Sequence, residues 1–334
     1  MERSQMDNSP TSAIMELANL ISVSMSLTAV VKLKVPDTIW QNGSNNPLSA
    51  AEILSAAAAG PGGDAENLQR ILRLLTSYGV FNQHIGEDGS ETRYSLTEVG
   101  KALAADENGL SYAPYILQHH QDAMMLAWPL VHEAVLDPSS EPFVKVHGER
   151  PYSYYGKNPE MNLLMQKAMS GASVPFMKAF LDGYDGFQGV ETLVDVGGSS
   201  GDCLRMIMTK YQRIEHVGGD MLKSIPPGDA IFMKWLLLSS TDEECAQVLK
   251  NCCDVLPWGG KLIVCEPLMP NSTDNSPTCR ALLQEDIFLM TMYRTKGKHR
   301  TAMEFRELGL AAGFPNFKAD FRIDDFFTVL EFQK

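Results

Sequence analysis

Thr192-Leu193-Val194-Asp195-Val196, followed at once by Gly197-Gly198-Ser199-Ser200-Gly201, is the stretch on which the fold of this 334-residue chain turns. The first five residues read as a short buried strand ending beside an acid, and helical spacing begins directly after the glycines, from Leu204 to Tyr211. In a strand, glycine turn and helix, the backbone can approach a nucleotide-like ligand closely, and the helix N-terminus offers free N–H donors. The spacing is nearer to D-x-G-G-x-x-G than to a dinucleotide fingerprint, so alone it is a weak signal. Its surroundings strengthen it. Gly218-Gly219-Asp220-Met221, Lys234-Trp235 and Cys265-Glu266-Pro267 each place polar residues at a strand end. An acid there can bind a ribose or an adenine amine, and a neighbouring methionine gives an adenine ring an apolar wall. Further strands are predicted over Ala230–Leu236, Lys261–Cys265, Phe317–Ile323 and Phe326–Phe332, separated by helices over Asp242–Leu256 and Thr301–Ala312. Such alternation predicts an α/β fold with a mostly parallel, doubly wound sheet.

Upstream the pattern changes. From Leu110 to Phe187 the periodicity is helical, with a Met-rich helix over Asn158–Asp182. Residues 1–110 read differently: a pair of helices from Ser12 to Val35, the second ending at Pro36, then a capping box in Ser49 and Glu52. Asp64 caps a helix that Gly79 ends, two short strands (Val80–Asn82, Arg93–Leu96) make a hairpin, and a helix runs from Thr97 to Ala105. This is a winged-helix pattern, but the segment carries 7 Lys and Arg against 13 Asp and Glu, so it predicts a dimerisation module and no nucleic-acid partner. The predicted domains are 1–110 for dimerisation and 111–334 for chemistry.

Composition agrees. The net charge of −13 repels phosphate backbones and anionic membrane surfaces. No apolar run has the length of a membrane span. Six cysteines without metal-ligand or CxxC spacing predict reduced thiols in a cytoplasmic protein and no metal site.

The runs LVDVGG, HVGGDM, DAIFMKW, LPWGGKLIVCEP and KGKHRT, with ENLQRILRLLTSYGVF and YSLTEVGKAL in the N-terminal part, resemble the plant caffeate-type small-molecule methyltransferases over nearly the whole chain. LQHHQ, SVPFMKA, SGDCLRMI and YRTKGKHRT resemble the subgroup that methylates nicotinate on its ring nitrogen. The resemblance implies a Rossmann-like methyltransferase domain using S-adenosyl-L-methionine, an N-terminal winged-helix dimerisation domain and a homodimer. It implies Asp195 and Gly197 at the methionine end of the cofactor, Asp220 and Met221 near adenine, Lys234 nearby, and Met169 and Ser173 closing the pocket.

Two departures from the family pattern shape the functional reading. O-methylating relatives carry a histidine four residues after the Lys of the KW pair, to take a proton from a phenol; here that position is Leu238. A phenol ionises near pH ~10, so its nucleophilic form is scarce at neutral pH without a base. The family's orienting glutamate is likewise replaced, by His299. A pyridine nitrogen already presents a lone pair at pH 7 and needs only alignment. The reading is methyl transfer to the ring nitrogen of nicotinate, a small aromatic acid. Its alternatives are O-methylation of a phenolic acid and a cofactor-impaired, non-catalytic homologue. Candidate substrate residues are Tyr115, His119, His120, Met124 and Arg294, the last as a bidentate partner for a carboxylate. His120 and His299 are the candidates for orienting the reaction. On a continuous helix His120 and Met124 share a face, so one histidine points inward while its neighbour faces water.

The second departure is a short join. Only residues 212–217 separate the helix ending near Tyr211 from Gly218, where a doubly wound fold needs a second strand, its ribose-binding acid and a second helix. Glu215, on the strand leading to Asp220, is a poor substitute for that acid. The loss predicts weaker cofactor binding, by ~1.5–3 kcal/mol for one charged clamp, and exposed apolar surface beside Val194.

Overall fold

The computed structural model describes residues 9–57, 63–86, 91–198, 201–211, 221 and 223–334. The chain divides into two compact units, Met1–Gln121 with Lys167–Gly171, and Asp122–Gln166 with Ala172–Lys334.

The first unit carries helices Pro10–Ala18, Leu20–Lys32, Val35–Gln41, Ala50–Ala56, Ala65–Ser77, Glu98–Lys101 and Ala113–His119. Pro36 opens a third helix instead of ending the second, which stops at Lys32. In a first turn the N–H that proline lacks has no intrahelical partner to lose. The capping box is present: Glu52 N–H donates to Ser49 Oγ at 3.3 Å, and Ser49 N–H donates to Glu52 Oε2 at 2.8 Å. Asp64 accepts from the N–H groups of Glu66 and Asn67, and Gly79 follows the same helix at φ 75°. Strands β1 (Leu48–Ser49), β2 (Phe81–Ile85) and β3 (Thr92–Leu96) pair antiparallel in the order β1-β3-β2. The hairpin is the predicted one; β1 is an addition, too short to show a period in the sequence. The helix predicted over Thr97–Ala105 shrinks to Glu98–Lys101, with Thr97 as its cap. Val30, Ile39, Ile53, Leu72, Leu75 and Tyr94 form the fully buried centre. Ile14, Leu17 and Ile21 stay 62–64% exposed.

In the second unit, strands β4 (Leu193–Val196), β5 (Ala230–Lys234), β6 (Lys261–Pro267), β7 (Asn316–Arg322) and β8 (Phe327–Gln333) form one sheet of order β4-β5-β6-β8-β7. β4, β5 and β6 are parallel, whereas β8 runs antiparallel to both β6 and β7. The sheet is therefore mixed where the sequence predicts a mostly parallel one. Residues 323–326 are too few for a parallel crossover, so the last two strands close as a hairpin.

Alternation along the strands sets two packed faces. Val194, Val196, Ile231, Met233 and Val264 meet Val248 and Leu249 of helix Asp242–Val255 and Phe305 of helix Ala302–Ala312. Leu193, Ala230, Phe232 and Ile263 meet Phe176 and Phe180 of helix Pro159–Gly183, and Leu204 and Ile207 of helix Asp202–Lys210. By the same parity Asp195 and Lys234 share the second face, and Glu266 takes the first. Val194 is only 1% exposed, because Ile225 joins its cluster; the apolar exposure predicted there is not found. The join at 212–217 and Gly218–Asp220 lie outside the described residues. Among the described strands β4 is an edge.

Helix Pro277–Met292 is an addition to the helices predicted from periodicity. Ser276 Oγ caps it by accepting from Cys279 N–H at 3.1 Å, and Leu282, Phe288, Leu289 and Met292 are buried. All six cysteines are free, and Cys203 alone is not fully buried. Among the described residues no single helix is long and apolar enough to cross a membrane; Pro10–Ala18 and Leu20–Lys32 reach that length only together, with a 44° bend between them.

Candidate active site

The glycine turn after β4 is a tight backbone cradle. Gly197 sits at φ 79° and Gly201 at φ 77°, and Gly201 N–H donates to Gly198 carbonyl at 2.7 Å. A Cβ on Gly198 would lie 2.1 Å from Asp195 Oδ2, and one on Gly197 would lie 2.8 Å from Leu236 Cδ1. Only glycine brings the main chain this close to the acid. Helix Asp202–Lys210 starts at Gly201 with no side-chain cap among the described residues; a helix N-terminus directs backbone N–H groups outward. Across the same sheet face, Lys234 Nζ donates to buried Ser173 Oγ at 2.9 Å. That ammonium stands 5.3, 5.1 and 5.1 Å from the ring centres of Phe176, Trp235 and Phe327. Burial pushes the Lys234 pKa down and raises the adjacent Cys203 thiol to about 11, so Cys203 is no thiolate at neutral pH. Met221 packs beside the first-face cluster, its carbonyl accepting from Asn251 at 3.0 Å. The cradle, the acid and the buried Lys–Ser pair fit the methionine end of S-adenosylmethionine. Asp220 lies outside the described residues.

At the end of β5 the chain makes a constrained turn. Trp235 adopts φ 53°, a left-handed conformation that costs a non-glycine residue of order 1–3 kcal/mol. Its N–H donates to the Cys265 carbonyl at 2.9 Å. The next two N–H groups, of Leu236 and Leu237, donate to Glu266 Oε1 at 2.7 and 2.8 Å. On the carbonyl side, fully buried Arg300 donates to Leu237 O at 3.0 Å and to Ser240 O at 2.9 Å, and pairs with Asp242 Oδ1 at 2.8 Å. The short 3-10 turn Leu237–Ser239 is thus held by a carboxylate on one side and a guanidinium on the other. It presents Leu238, 6% exposed and with no proton acceptor.

Behind this turn sit two buried polar side chains. Glu266 is fully buried, and its Oε2 has no hydrogen-bond partner among the described residues. Burial pushes its pKa up to about 7, although the two N–H donors, His299 and Arg300 all pull the other way. The His299 side chain is also fully buried. Its backbone N–H donates to Asp286 Oδ1 at 2.7 Å, and its Nε2 lies 3.1 Å from Glu285 Oε2. An ionised carboxylate only accepts, so the imidazole proton is on Nε2. His299 Nδ1 has no partner among the described residues.

The remaining predicted residues fall elsewhere. Arg294 is held by Glu244 at 2.6 Å and Glu141 at 3.5 Å. Its guanidinium is already committed to two carboxylates, which corrects its reading as a free clamp for a substrate acid. Met124 is fully buried among Ala127, Phe143, Tyr155 and Phe288, as packing. The helix breaks after His119 and restarts at Asp122, so the shared face argued for His120 and Met124 does not exist. Neither histidine faces open water; both are half-buried. His119 Nδ1 donates to the Tyr115 carbonyl at 3.0 Å, its ring lies 4.0 Å from that of Tyr115, and burial pushes its pKa down to about 4. Thr28 spends its hydroxyl proton on Ser24 O at 3.0 Å, so it accepts from His120 Nδ1 at 2.8 Å. Burial lowers the His120 pKa as well. Met169 is half-buried on helix Pro159–Gly183, in the segment belonging to the first unit. Sequence reasoning misses Arg300, Asp242 and Glu285; an arginine beside His299 is the only local signal. A groove of about 620 Å³ lined by Met269, Asp274, Met303, Arg306 and Arg322 contains none of the site residues.

Residues 15–106 match the O-methyltransferase dimerisation domain, and residues 128–214 and 205–315 match the O-methyltransferase domain. Fold and site together define a methyltransferase. The chain belongs to the O-methyltransferase family. It is 61% identical over 343 residues to nicotinate N-methyltransferase 1 of Glycine max, covering 96% of each chain. It is 59% identical over 358 residues to the protein of the same name in Arabidopsis thaliana, covering 100% of this chain and 99% of the other. Caffeic acid 3-O-methyltransferase 1 of Ocimum basilicum is 36% identical over 327 residues, covering 91% and 90%. The crystal structure of human N-acetylserotonin methyltransferase in complex with SAM superposes with a TM-score of 0.80 at 17% identity, covering 100% and 99%, a likeness of fold alone. The two pieces of the catalytic-domain match overlap at 205–214, beside the short join. The alignment to the Arabidopsis relative takes 358 positions against 334 residues, so that relative carries residues with no counterpart here.

Proposed function

We propose that this chain transfers the methyl group of S-adenosylmethionine to the ring nitrogen of nicotinate, giving N-methylnicotinate. Leu238 carries the reading: a turn held by Glu266 and Arg300 presents an aliphatic side chain at the position where the resemblance implies a base in O-methylating relatives. When bound, S-adenosylmethionine supplies an electrophilic methyl group on sulfur. The nitrogen lone pair forms the new N–C bond as the S–C bond breaks, and the pair from that bond stays on sulfur. No proton leaves, so alignment replaces base catalysis. The 61% and 59% identical relatives, both nicotinate N-methyltransferases, support the same substrate over the phenolic acids of the 36% group.

Asp195 and the Gly197 backbone hold the methionine end, Met221 with Asp220 the adenine, and Ser173 and Lys234 the pocket wall; Met169 keeps its proposed cofactor role from the first unit. Tyr115, His119 and His120, all in the first unit, are the proposed substrate residues. Dimerisation belongs to residues 1–110 and catalysis to 111–334; the exposed Ile14, Leu17 and Ile21 are the face for a second copy. The free cysteines suit the cytoplasm.

Incubation with methyl-labelled S-adenosylmethionine and equal nicotinate and caffeate is the test. Labelled N-methylnicotinate is expected; label only in a phenolic ether, or in the methyl ester of nicotinate, overturns the reading. The split match beside the join favours one competing reading, a non-catalytic homologue. Calorimetry addresses it: absence of S-adenosylmethionine binding at millimolar concentration would establish that alternative.

A further inference from the structure

Methyl transfer to a pyridine moves a positive charge from sulfur onto the ring nitrogen, and the site needs something to receive it. Catalysis gains most from groups already fixed where charge develops. Among the described residues two fully buried polar atoms next to the Leu237–Ser239 turn have no partner, Glu266 Oε2 and His299 Nδ1. Both belong to rigid supports. Glu266 is fixed through its other oxygen by the Leu236 and Leu237 N–H groups, and His299 is fixed through Glu285 and Asp286. Leu236 links them to the cofactor turn, since its side chain fills the space over Gly197.

We propose that Glu266, backed by the His299–Glu285 pair, is the counter-charge for the pyridinium that forms during transfer. The inference rests on the nitrogen-methylation reading. The two acceptor atoms at the end of this chain of contacts match a cation. Glu266 is set against a mixed field: Arg300 and His299 on the loop before helix Ala302–Ala312, Lys234 on β5, Tyr152 on helix Pro151–Lys157, and the neutral thiols of Cys245 and Cys265. Because burial places its titration at about 7, a fraction of Glu266 is protonated at neutral pH, and a pyridinium draws it to the ionised form with release of that proton.

Glu266→Gln keeps an oxygen for the two N–H groups and removes only the charge. Calorimetry in the presence of S-adenosylhomocysteine compares nicotinate with N-methylnicotinate on both proteins. N-methylnicotinate is expected to bind the variant roughly tenfold or more weakly, with nicotinate unchanged within about twofold, and the wild-type kcat limb near pH 7 should vanish. His299→Leu removes the second acceptor atom and is expected to weaken N-methylnicotinate further relative to nicotinate. Equal binding of both ligands by wild type and Glu266→Gln, or parallel loss of both, overturns the inference. A wild-type enzyme that forms no N-methylnicotinate would instead overturn the parent reading.

Discussion

At the scale of single residues, the site depends on groups whose space or charge is already committed. Gly198→Ala would set a methyl group against the Asp195 carboxylate. The cost of such overpacking is about 1–3 kcal/mol, expected as weaker S-adenosylhomocysteine binding by calorimetry; unchanged affinity would remove the cradle from the cofactor site. Glu266 makes a second prediction through pH. Its pKa rises from 4.5 unfolded to about 7 folded, so between those values the folded chain keeps a proton that the unfolded chain has lost. Stability therefore falls as pH rises through that window and levels off above 7, by about 3 kcal/mol. Urea unfolding of wild type and Glu266→Gln from pH 5 to 8 checks this; His119, with a lowered pKa, acts oppositely in the acid part of the range and cancels in the comparison. A wild-type slope equal to that of the variant would contradict the burial of an uncompensated carboxyl.

At the scale of elements, what the sequence discloses follows from how local its cause is. The capping box of Ser49 and Glu52, the Asp64 cap and the strand–glycine–helix run are set by neighbours within four residues, and each is legible in the order of the amino acids. Helix Pro277–Met292 escapes because apolar residues lie on more than one face, exposed Ile287 beside buried Leu282, Phe288 and Met292, which blurs the helical period. The His120–Met124 argument fails because it assumes a continuous helix, and the helix breaks between His119 and Asp122. The candidate site is half legible. Asp195, Gly197, Lys234 and Leu238 stand out by position, whereas the commitment of Arg294 to Glu244 and Glu141, and the grip of Arg300 on the Leu237–Ser239 turn, join residues about 50 or more apart. Arg300→Met leaves the Leu237 and Ser240 carbonyls without their charged donor and is expected to cost about 1–3 kcal/mol in denaturant unfolding. A loss under about 1 kcal/mol would mean that the turn holds itself.

At the scale of the whole molecule, an N-terminal unit leaves three large apolar side chains exposed on two successive helices, and the family match over residues 15–106 is to a dimerisation domain. Ile14→Asp with Leu17→Asp should shift the protein towards monomer in sedimentation velocity; an unchanged association state would place the interface elsewhere. The central claim is that transfer needs no proton acceptor, and the proton yield of turnover tests it most directly. In weakly buffered solution near pH 7, turnover with equal nicotinate and caffeate is predicted to release no proton per methyl group transferred. One proton per transfer, or turnover confined to a phenol, would contradict the account.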